Sequence, residues 1–350
     1  MTIAPGTPLL PMIWAGIMAF VILAYVVLDG FDLGIGLLFP GEPEREARDV
    51  MINTIAPVWD GNETWLVLGG AGLYGAFPTA YSIILPAFYP LVILMVLGLI
   101  CRGVAFEFRF RAPSERERRI WDWAFCGGSV AATFCQGVIL GGLLQGVSVR
   151  NGAFDGTVFA WLHPFPLFCG LALLVGYAML GAAWLYWRSS GALQERMRVR
   201  TRRLGMAMVV VIGIVSLWSP FLDPAFFTRW FALPGLFATA MAPIAVLVLG
   251  YVFFTRLAQG PASGALPGSH DATPFLCGLG LFIVCFLGLG YSIFPLIVPP
   301  SVTIWDAASP PASQGFLLVG ALVLIPMIVA YNAFAYWVFR GKVEPGAHYH

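Results

Sequence analysis

Four carboxylates stand in segments that are otherwise strongly apolar, and they form two pairs with the same spacing. Asp29 and Asp32 occur in "LDGFDLGIG", after a stretch without any charged side chain from Met1 to Leu28. Asp60 and Glu63 occur in "APVWDGNETWLVLGG". Residues three apart lie on the same face of a helix, so each pair predicts two neighbouring acids on one helix face. Such acids can bind protons, bind a cation or accept hydrogen bonds.

These three kinds of chemistry are the alternatives for the four acids. The acids could hydrogen-bond helix ends and the glycine-rich backbone around them, or they could form a cation site. They could also form a proton route, because close carboxylates share at least one proton. We expect no basic residue at the same depth in the membrane, which disfavours simple ion pairing and favours the proton route.

The composition indicates that these helices lie in a membrane. Of the 350 residues, 59% are hydrophobic and 11% are charged, and the mean hydropathy is +0.84. Soluble domains carry about 25% charged residues, so the shortfall predicts an all-α polytopic membrane protein. A net charge of +1 gives no reason to expect nucleic-acid binding.

Nine transmembrane helices are predicted, since a span needs about 20 apolar residues. The predicted spans are 12–38, 52–77, 83–108, 121–146, 163–187, 204–222, 235–255, 275–297 and 314–339. They predict a first four-helix bundle in residues 1–150, a second four-helix bundle in 151–300, and a peripheral ninth helix with a cytoplasmic tail in 301–350.

The basic residues predict the orientation of these spans. Connections after the odd-numbered spans, together with the C-terminal tail, carry 17 of the 19 Lys and Arg residues. Cytoplasmic connections are enriched in Lys and Arg, so we expect the N-terminus outside and the C-terminus in the cytoplasm. Asp29, Asp32, Asp60 and Glu63 are then predicted in the cytoplasmic half of the membrane.

Histidines and cysteines give little indication of a metal or cofactor site. The six cysteines form no CxxC pair and are predicted to be packing residues. Of the four histidines only His163, in "WLHPFP", is near a span, and we expect it to cap a helix or lie at the membrane interface. A bundle haem needs His or Met axial ligands, so no cofactor or metal site is assigned to this chain.

Several segments resemble subunit II of cytochrome bd-type quinol oxidases, in the cyanide-insensitive-type branch. They are "LDGFDLGIGLLFP", "MINTIAPVWDGNETWLVLGGAGLYGAFPTAY", "RGVAFEFR" and "PLIVPPSVTIWDAASPPASQGFLLVGALVLIPMIVAYNAFAYWVFRGKV". The resemblance covers nearly the whole chain in order. It implies nine helices, arranged as two four-helix bundles and one peripheral helix, in the bacterial inner (cytoplasmic) membrane.

The resemblance also implies partners and cofactors. A haem-bearing subunit I is expected to ligate two haems b, with a haem d or a third haem b, and to oxidise quinol. The complex reduces dioxygen to water with protons from the cytoplasm. A small single-helix subunit, membrane lipid and a structural quinone are further possible partners. Subunit II is expected to stabilise subunit I and to supply part of the proton path.

The resemblance assigns roles residue by residue. Asp60 in "WDGN" matches the proton-path acid of the family best, and Asp32 and Asp29 in "DGFD" follow. Glu63 is Gln in some relatives, so its acidity is not required. Trp59 and Trp65, on either side of these acids, are expected at the subunit interface or in the core.

A secondary transporter is the rival prediction, with the same four acids as a proton- or cation-coupling site. The chain has no clear inverted repeat. Its second half also has few polar groups that could bind a substrate. We therefore expect the oxidase subunit.

Overall fold

A computed structural model describes residues 8–233, 235–261, 269–344 and 346, which form eleven α-helices joined by short connections. In chain order they are α1 (Leu9–Leu38), α2 (Arg45–Asn53), α3 (Trp59–Ala76), α4 (Pro78–Arg111), α5 (Glu115–Gln145), α6 (Pro164–Arg188), α7 (Gly191–Trp218), α8 (Pro224–Phe231), α9 (Gly235–Gln259), α10 (Ser269–Ile293) and α11 (Pro311–Val338). Helices α2 and α8 are short, and the other nine have 18 residues or more.

Eight of these helices are long and apolar enough to cross a membrane, counted over the described residues. They are α1, α4, α5, α6, α7, α9, α10 and α11, in part with short extensions. The prediction of a helical, multi-pass membrane protein is therefore confirmed. Helix α3 is long enough but less apolar than these eight, because Asp60, Asn62 and Glu63 fall in its first two turns.

The predicted span 52–77 is wrong at its start. Helix α2 ends at Asn53, residues 54–58 form turns, and α3 begins at Trp59. Pro57 lies in this interruption; proline lacks a backbone N–H and disfavours helical geometry at the residue before it. A continuous helix from Asp49 would place Asp60 about 16 Å along its axis. Asp60 lies instead in the first turn of a separate helix.

Other boundaries differ because polar residues extend helices beyond the apolar stretches. Helix α7 begins at Gly191 rather than near 204, and so it includes the basic segment 196–203. Two antiparallel hairpins, in the connections between α5 and α6 and between α10 and α11, were not predicted. Strand β1 (Val149–Arg150) pairs with β2 (Ala153–Phe154), and β3 (Leu296–Val298) pairs with β4 (Val302–Thr303). Asn151 and Gly152 both have positive φ, the usual geometry of an Asn-Gly hairpin turn.

Two close helix crossings determine the centre of the fold. A Cβ atom added to Gly34 of α1 would lie 1.8 Å from the backbone oxygen of Tyr177 on α6. One added to Gly128 of α5 would lie 2.3 Å from the backbone oxygen of Gly98 on α4. Small residues allow membrane helices to approach this closely. The C-terminal turns of α1 and α4 are buried in the middle of the protein as a result.

Helix α11 lies at the edge of this assembly, and only Gln314, Asn332 and Ala335 are buried along it. Near its N-terminal end, the Trp14 indole N–H donates to the Gln314 carbonyl oxygen at 3.1 Å. Near its other end, the Tyr336 hydroxyl donates to the Asn62 side-chain oxygen at 2.9 Å. Few, specific contacts therefore position α11 against α1 and α3.

Candidate functional site

Arg102 of α4 lies among three of the four predicted acids, and its side chain is 1% exposed. Its Nη1 is 2.9 Å from Asp29 Oδ1 and 3.9 Å from Glu63 Oε2, and its Nη2 is 3.9 Å from Asp32 Oδ2. We call these four residues the acid cluster. The expectation that no basic residue lies at the depth of the acids was wrong. Arg102 was counted with the basic residues of the connection after span 83–108, although that span contains it; the structure places Arg102 inside α4.

The acid cluster contains more acid than base. Three carboxyl groups face one guanidinium, and the Asp29 and Asp32 side chains are completely buried, whereas the Glu63 side chain is 25% exposed. Asp29 Oδ2 and Asp32 Oδ1 are buried without a hydrogen-bond partner. An uncompensated buried charge costs several kcal/mol, so carboxyl groups beyond the first are expected to hold protons. Chemically, the arrangement suits proton binding.

Asn62 connects Asp32 to α11. Its Nδ2 donates to Asp32 Oδ2 at 2.7 Å and to the Leu28 carbonyl oxygen at 3.2 Å. Its Oδ1 accepts from the Tyr336 hydroxyl. Tyr336 lies within one of the resembling segments, and no role was predicted for it. A tyrosine on a peripheral helix carried no signal, because its partner is 274 residues away in the sequence.

A second polar chain lies on the other side of Asp29. The Tyr177 hydroxyl donates to Gln136 Oε1 at 3.2 Å, and Gln136 Nε2 donates to the Tyr25 hydroxyl oxygen at 2.7 Å. Tyr25, one helical turn before Asp29 on α1, interacts electrostatically with that carboxyl. The three residues come from α1, α5 and α6, so no local sequence pattern could have joined them.

Asp60, the fourth predicted acid, is exposed on the surface of this chain and does not join the acid cluster. Thr64, one turn later on α3, is also exposed, and its hydroxyl donates to the Asp60 carbonyl oxygen. Asp60 is nevertheless near enough to interact electrostatically with Glu63. The structure therefore divides the four acids into three inside the chain and one at its surface.

The two tryptophans beside the acids pack within this chain. Trp65 is 2% exposed and lies edge-to-face against Phe20 at 5.7 Å between ring centroids. Trp59 is half-buried and stacks on Phe106 at 5.2 Å. Of the two predicted roles, the core role is the one that the structure supports for Trp65.

Haem in a helical bundle is commonly ligated by His or Met side chains. Of the four histidine side chains, only that of His163 is described, and it is exposed at the start of α6. It occupies the N-cap position of α6 without a side-chain capping bond, so the predicted capping is wrong. Met18 and Met179 pack tightly against glycine positions on α3 and α10. His270, His348 and His350 have side chains outside the described residues. None of the six cysteines forms a disulfide, and four of them are buried.

Comparisons with known proteins agree with one another. The sequence profile of "Cytochrome bd terminal oxidase subunit II" matches residues 10–339. The chain is 29% identical to "Cytochrome bd-I ubiquinol oxidase subunit 2" of Escherichia coli (strain K12) over 362 residues, covering 95% of each chain. It is 28% identical to "Cytochrome bd ubiquinol oxidase subunit 2" of Bacillus subtilis (strain 168), covering 95% of this chain and 96% of that one.

A solved structure shows the same fold. The bd oxidase of Geobacillus thermodenitrificans contains a chain that superposes with a TM-score of 0.73 at 16% identity, covering 95% of this chain and 99% of that one. The profile match extends over almost the whole described sequence. The chain therefore belongs to the cytochrome bd terminal oxidase subunit II family and is a subunit of a bd-type quinol oxidase.

Proposed function

We propose that the acid cluster is part of a path that carries protons from the cytoplasm toward the oxygen-reducing centre of the oxidase. One observation carries this proposal: three buried or half-buried carboxyl groups share a single guanidinium. Neutrality around one Arg requires one carboxylate, so the other two carboxyl groups can gain and lose protons with little change in structure. Family membership also removes the reason to consider a transporter.

Each member of the acid cluster has a different environment and therefore a different role. Glu63 is the partly exposed member, and it adjusts the charge around Arg102 without being a required proton carrier. Asp29 forms the 2.9 Å ion pair with Arg102, and Asp32 can hold a proton on Oδ1, which is buried without a hydrogen-bond partner. Arg102 limits the negative charge that the site accumulates. Asp60, exposed but electrostatically linked to Glu63, exchanges protons with the partner subunit.

The path implies a membrane arrangement. We propose nine spans, namely the eight long apolar helices and α3. They are grouped as four-helix bundles in 1–150 and 151–300 and a peripheral helix in 301–350. At 1.5 Å per residue an 18-residue helix is about 27 Å long, close to the thickness of the hydrocarbon core. The distribution of basic residues supports an outside N-terminus and a cytoplasmic C-terminus. With this orientation the acid cluster lies in the cytoplasmic half.

The partner of this chain is proposed to be the haem-bearing subunit I. It would ligate two haems b and a haem d or a third haem b, and it would bind quinol. Polar side chains on a membrane helix usually face protein or water, so exposed Asp60 and Thr64 support a partner over the start of α3. A small single-helix subunit, bound lipid and a structural quinone are further proposed components.

The test is the substitution Asp32→Asn in the whole oxidase complex. We expect oxygen consumption per haem to fall about tenfold or more, because Asn cannot bind a proton at the Asp32 position. Asp60→Asn is expected to lower the same rate if the partner uses Asp60. Asp155→Asn is the control, since Asp155 is an exposed residue of the outer connection.

Haem content separates proton transfer from structure. The proposal requires normal haem spectra and subunit content in the Asp32→Asn complex together with slow turnover. Normal turnover with normal spectra contradicts it. Loss of the assembled complex in every variant of the cluster supports a purely structural role for these acids.

A further inference from the structure

We propose that Tyr336 is a positioning residue for Asp32 and acts through the side-chain amide of Asn62. Tyr336 lies on the peripheral helix α11, and its hydroxyl is 2.9 Å from Asn62 Oδ1. Asn62 is completely buried, and its Nδ2 is 2.7 Å from Asp32 Oδ2. This inference depends on the proposed proton path, because it assigns a task to Tyr336 only within that path.

The direction of every hydrogen bond in this chain of groups follows from one backbone carbonyl. The Leu28 carbonyl oxygen can only accept, and it lies 3.2 Å from Asn62 Nδ2. The nitrogen of the amide must therefore face Leu28 and Asp32, and the oxygen must face Tyr336. The Tyr336 hydroxyl therefore has to donate a hydrogen bond to Asn62 Oδ1, and Asp32 Oδ2 has to accept a hydrogen bond from Asn62 Nδ2.

This arrangement selects the oxygen on which Asp32 binds its proton. Asp32 Oδ2 already accepts the Asn62 hydrogen bond, so a proton on that oxygen would lose or weaken the bond. Asp32 Oδ1 is buried and has no hydrogen-bond partner. Proton uptake is therefore directed to Oδ1. Donation from Tyr336 to the amide oxygen also polarises the amide and strengthens its bond to Asp32.

The contact between α11 and α3 is built to hold this geometry. A Cβ atom added to Gly61 would lie 2.8 Å from Asn332 Oδ1, so α11 approaches α3 closely at the residue before Asn62. Asn332 is one of three buried residues on α11. The rest of α11 is largely exposed. The C-terminal half of α11 is therefore held against the protein mainly by these contacts with the start of α3.

The experiment is a double-mutant cycle in the complete oxidase complex, with oxygen consumption per haem as the first measurement. Tyr336→Phe removes only the hydroxyl and is expected to lower turnover about three- to tenfold, the effect of one neutral hydrogen bond. Tyr331→Phe is the matched control, since Tyr331 is 61% exposed on the same helix. In an Asn62→Ala background, Tyr336→Phe is expected to have less than about a twofold further effect.

An infrared measurement gives a second reading that does not depend on turnover. Redox-difference spectra of the wild-type complex should contain a protonated-carboxyl band that Asp32→Asn removes. We expect Tyr336→Phe to shift this band and Tyr331→Phe to leave it in place. This measurement also decides the question if the Asn62→Ala complex does not assemble.

The possible outcomes separate this inference from the proton path. Equal effects of Tyr336→Phe with and without Asn62 overturn the positioning role, and so does an unshifted carboxyl band. Slow Asp32→Asn turnover with normal Tyr336→Phe turnover and an unshifted band overturns this inference alone. Normal Asp32→Asn turnover overturns the proton path, whereas a band shift in Tyr336→Phe still supports positioning of Asp32.

Discussion

Two arginines of α4, Arg102 and Arg109, are each 1% exposed and lie seven residues apart, about two helical turns. Arg109 belongs to what we call the inner ion-pair cluster, which consists of Arg48, Asp49, Arg109 and Asp122. In that cluster Arg109 Nη1 is 2.5 Å from Asp49 Oδ1, and Arg109 Nε is 2.6 Å from Asp122 Oδ1. Arg48 Nη1 is 2.6 Å from Asp122 Oδ2.

The two clusters differ in charge balance, and the proposed proton path depends on this difference. The inner ion-pair cluster has two acids and two bases at short distances, so every charge is compensated and none requires a proton. Phe39 and Phe110 also lie 5.2 Å and 5.5 Å from the Arg109 guanidinium, within cation–π distance. The acid cluster has three acids, one base and longer distances, so its net charge depends on bound protons.

The largest effect is expected from Arg102→Met. The substitution leaves Asp29, Asp32 and Glu63 in a buried site without a cation, and breaking such a pair costs about 3–5 kcal/mol. We expect a lower thermal stability of the detergent-solubilised complex and a more than tenfold loss of oxygen consumption per haem.

Arg102→Lys tests whether charge alone is sufficient. Lys restores the positive charge but lacks the planar group that contacts several carboxylates at once. We expect it to recover most of the stability and less of the turnover. Full stability and full turnover in Arg102→Met would show that the acid cluster does not need its cation.

Arg109→Met is expected to affect stability without affecting turnover. Asp122 keeps its contact with Arg48, and Asp49 keeps a 4.0 Å contact with Arg45, so the loss should be smaller, about 1–3 kcal/mol. Complex that does assemble should consume oxygen per haem within about twofold of the unsubstituted rate. A turnover defect as large as that of Arg102→Met would mean that charge balance does not distinguish the two clusters.

The sequence was sufficient to predict the class of protein and the proximity of Asp29 to Asp32, because both depend on local properties of the chain. Hydropathy predicted the helices, and the i, i+3 spacing predicted that Asp29 and Asp32 would lie together. The interruption at 54–58 also has a local signal in Pro57, which the apolar stretch concealed. The contacts of Arg102 with the three acids could not be predicted, because they depend on how α1, α3 and α4 pack together.

The least predictable contacts join distant segments. Tyr336 contacts Asn62, and Gln136 contacts Tyr25 across 111 residues. A contact between two helices leaves no periodic pattern in the sequence of either helix, so only the packing of the whole protein identifies it. The exposure of Asp60 is of the same kind, since it depends on which face of α3 the other helices leave uncovered.

Glu63→Gln is expected to have the smallest effect on turnover, and it sharpens the comparison. Glu63 Oε2 is 3.9 Å from Arg102 and its side chain is 25% exposed, so its interaction is weaker than that of buried Asp29. We expect turnover to fall about two- to threefold, in proportion to one weak ion pair, and thermal stability to stay the same or rise. Stability should not fall, because the substitution removes one acid from a site that has too many. The matched variant Asp29→Asn keeps the same number of acids as Glu63→Gln but removes the negative charge from the 2.9 Å contact with Arg102, and its stability should fall. Equal loss of stability in both variants would indicate that the acids act mainly as individual contacts with Arg102, and the surplus of acid would then not be the property that distinguishes this site.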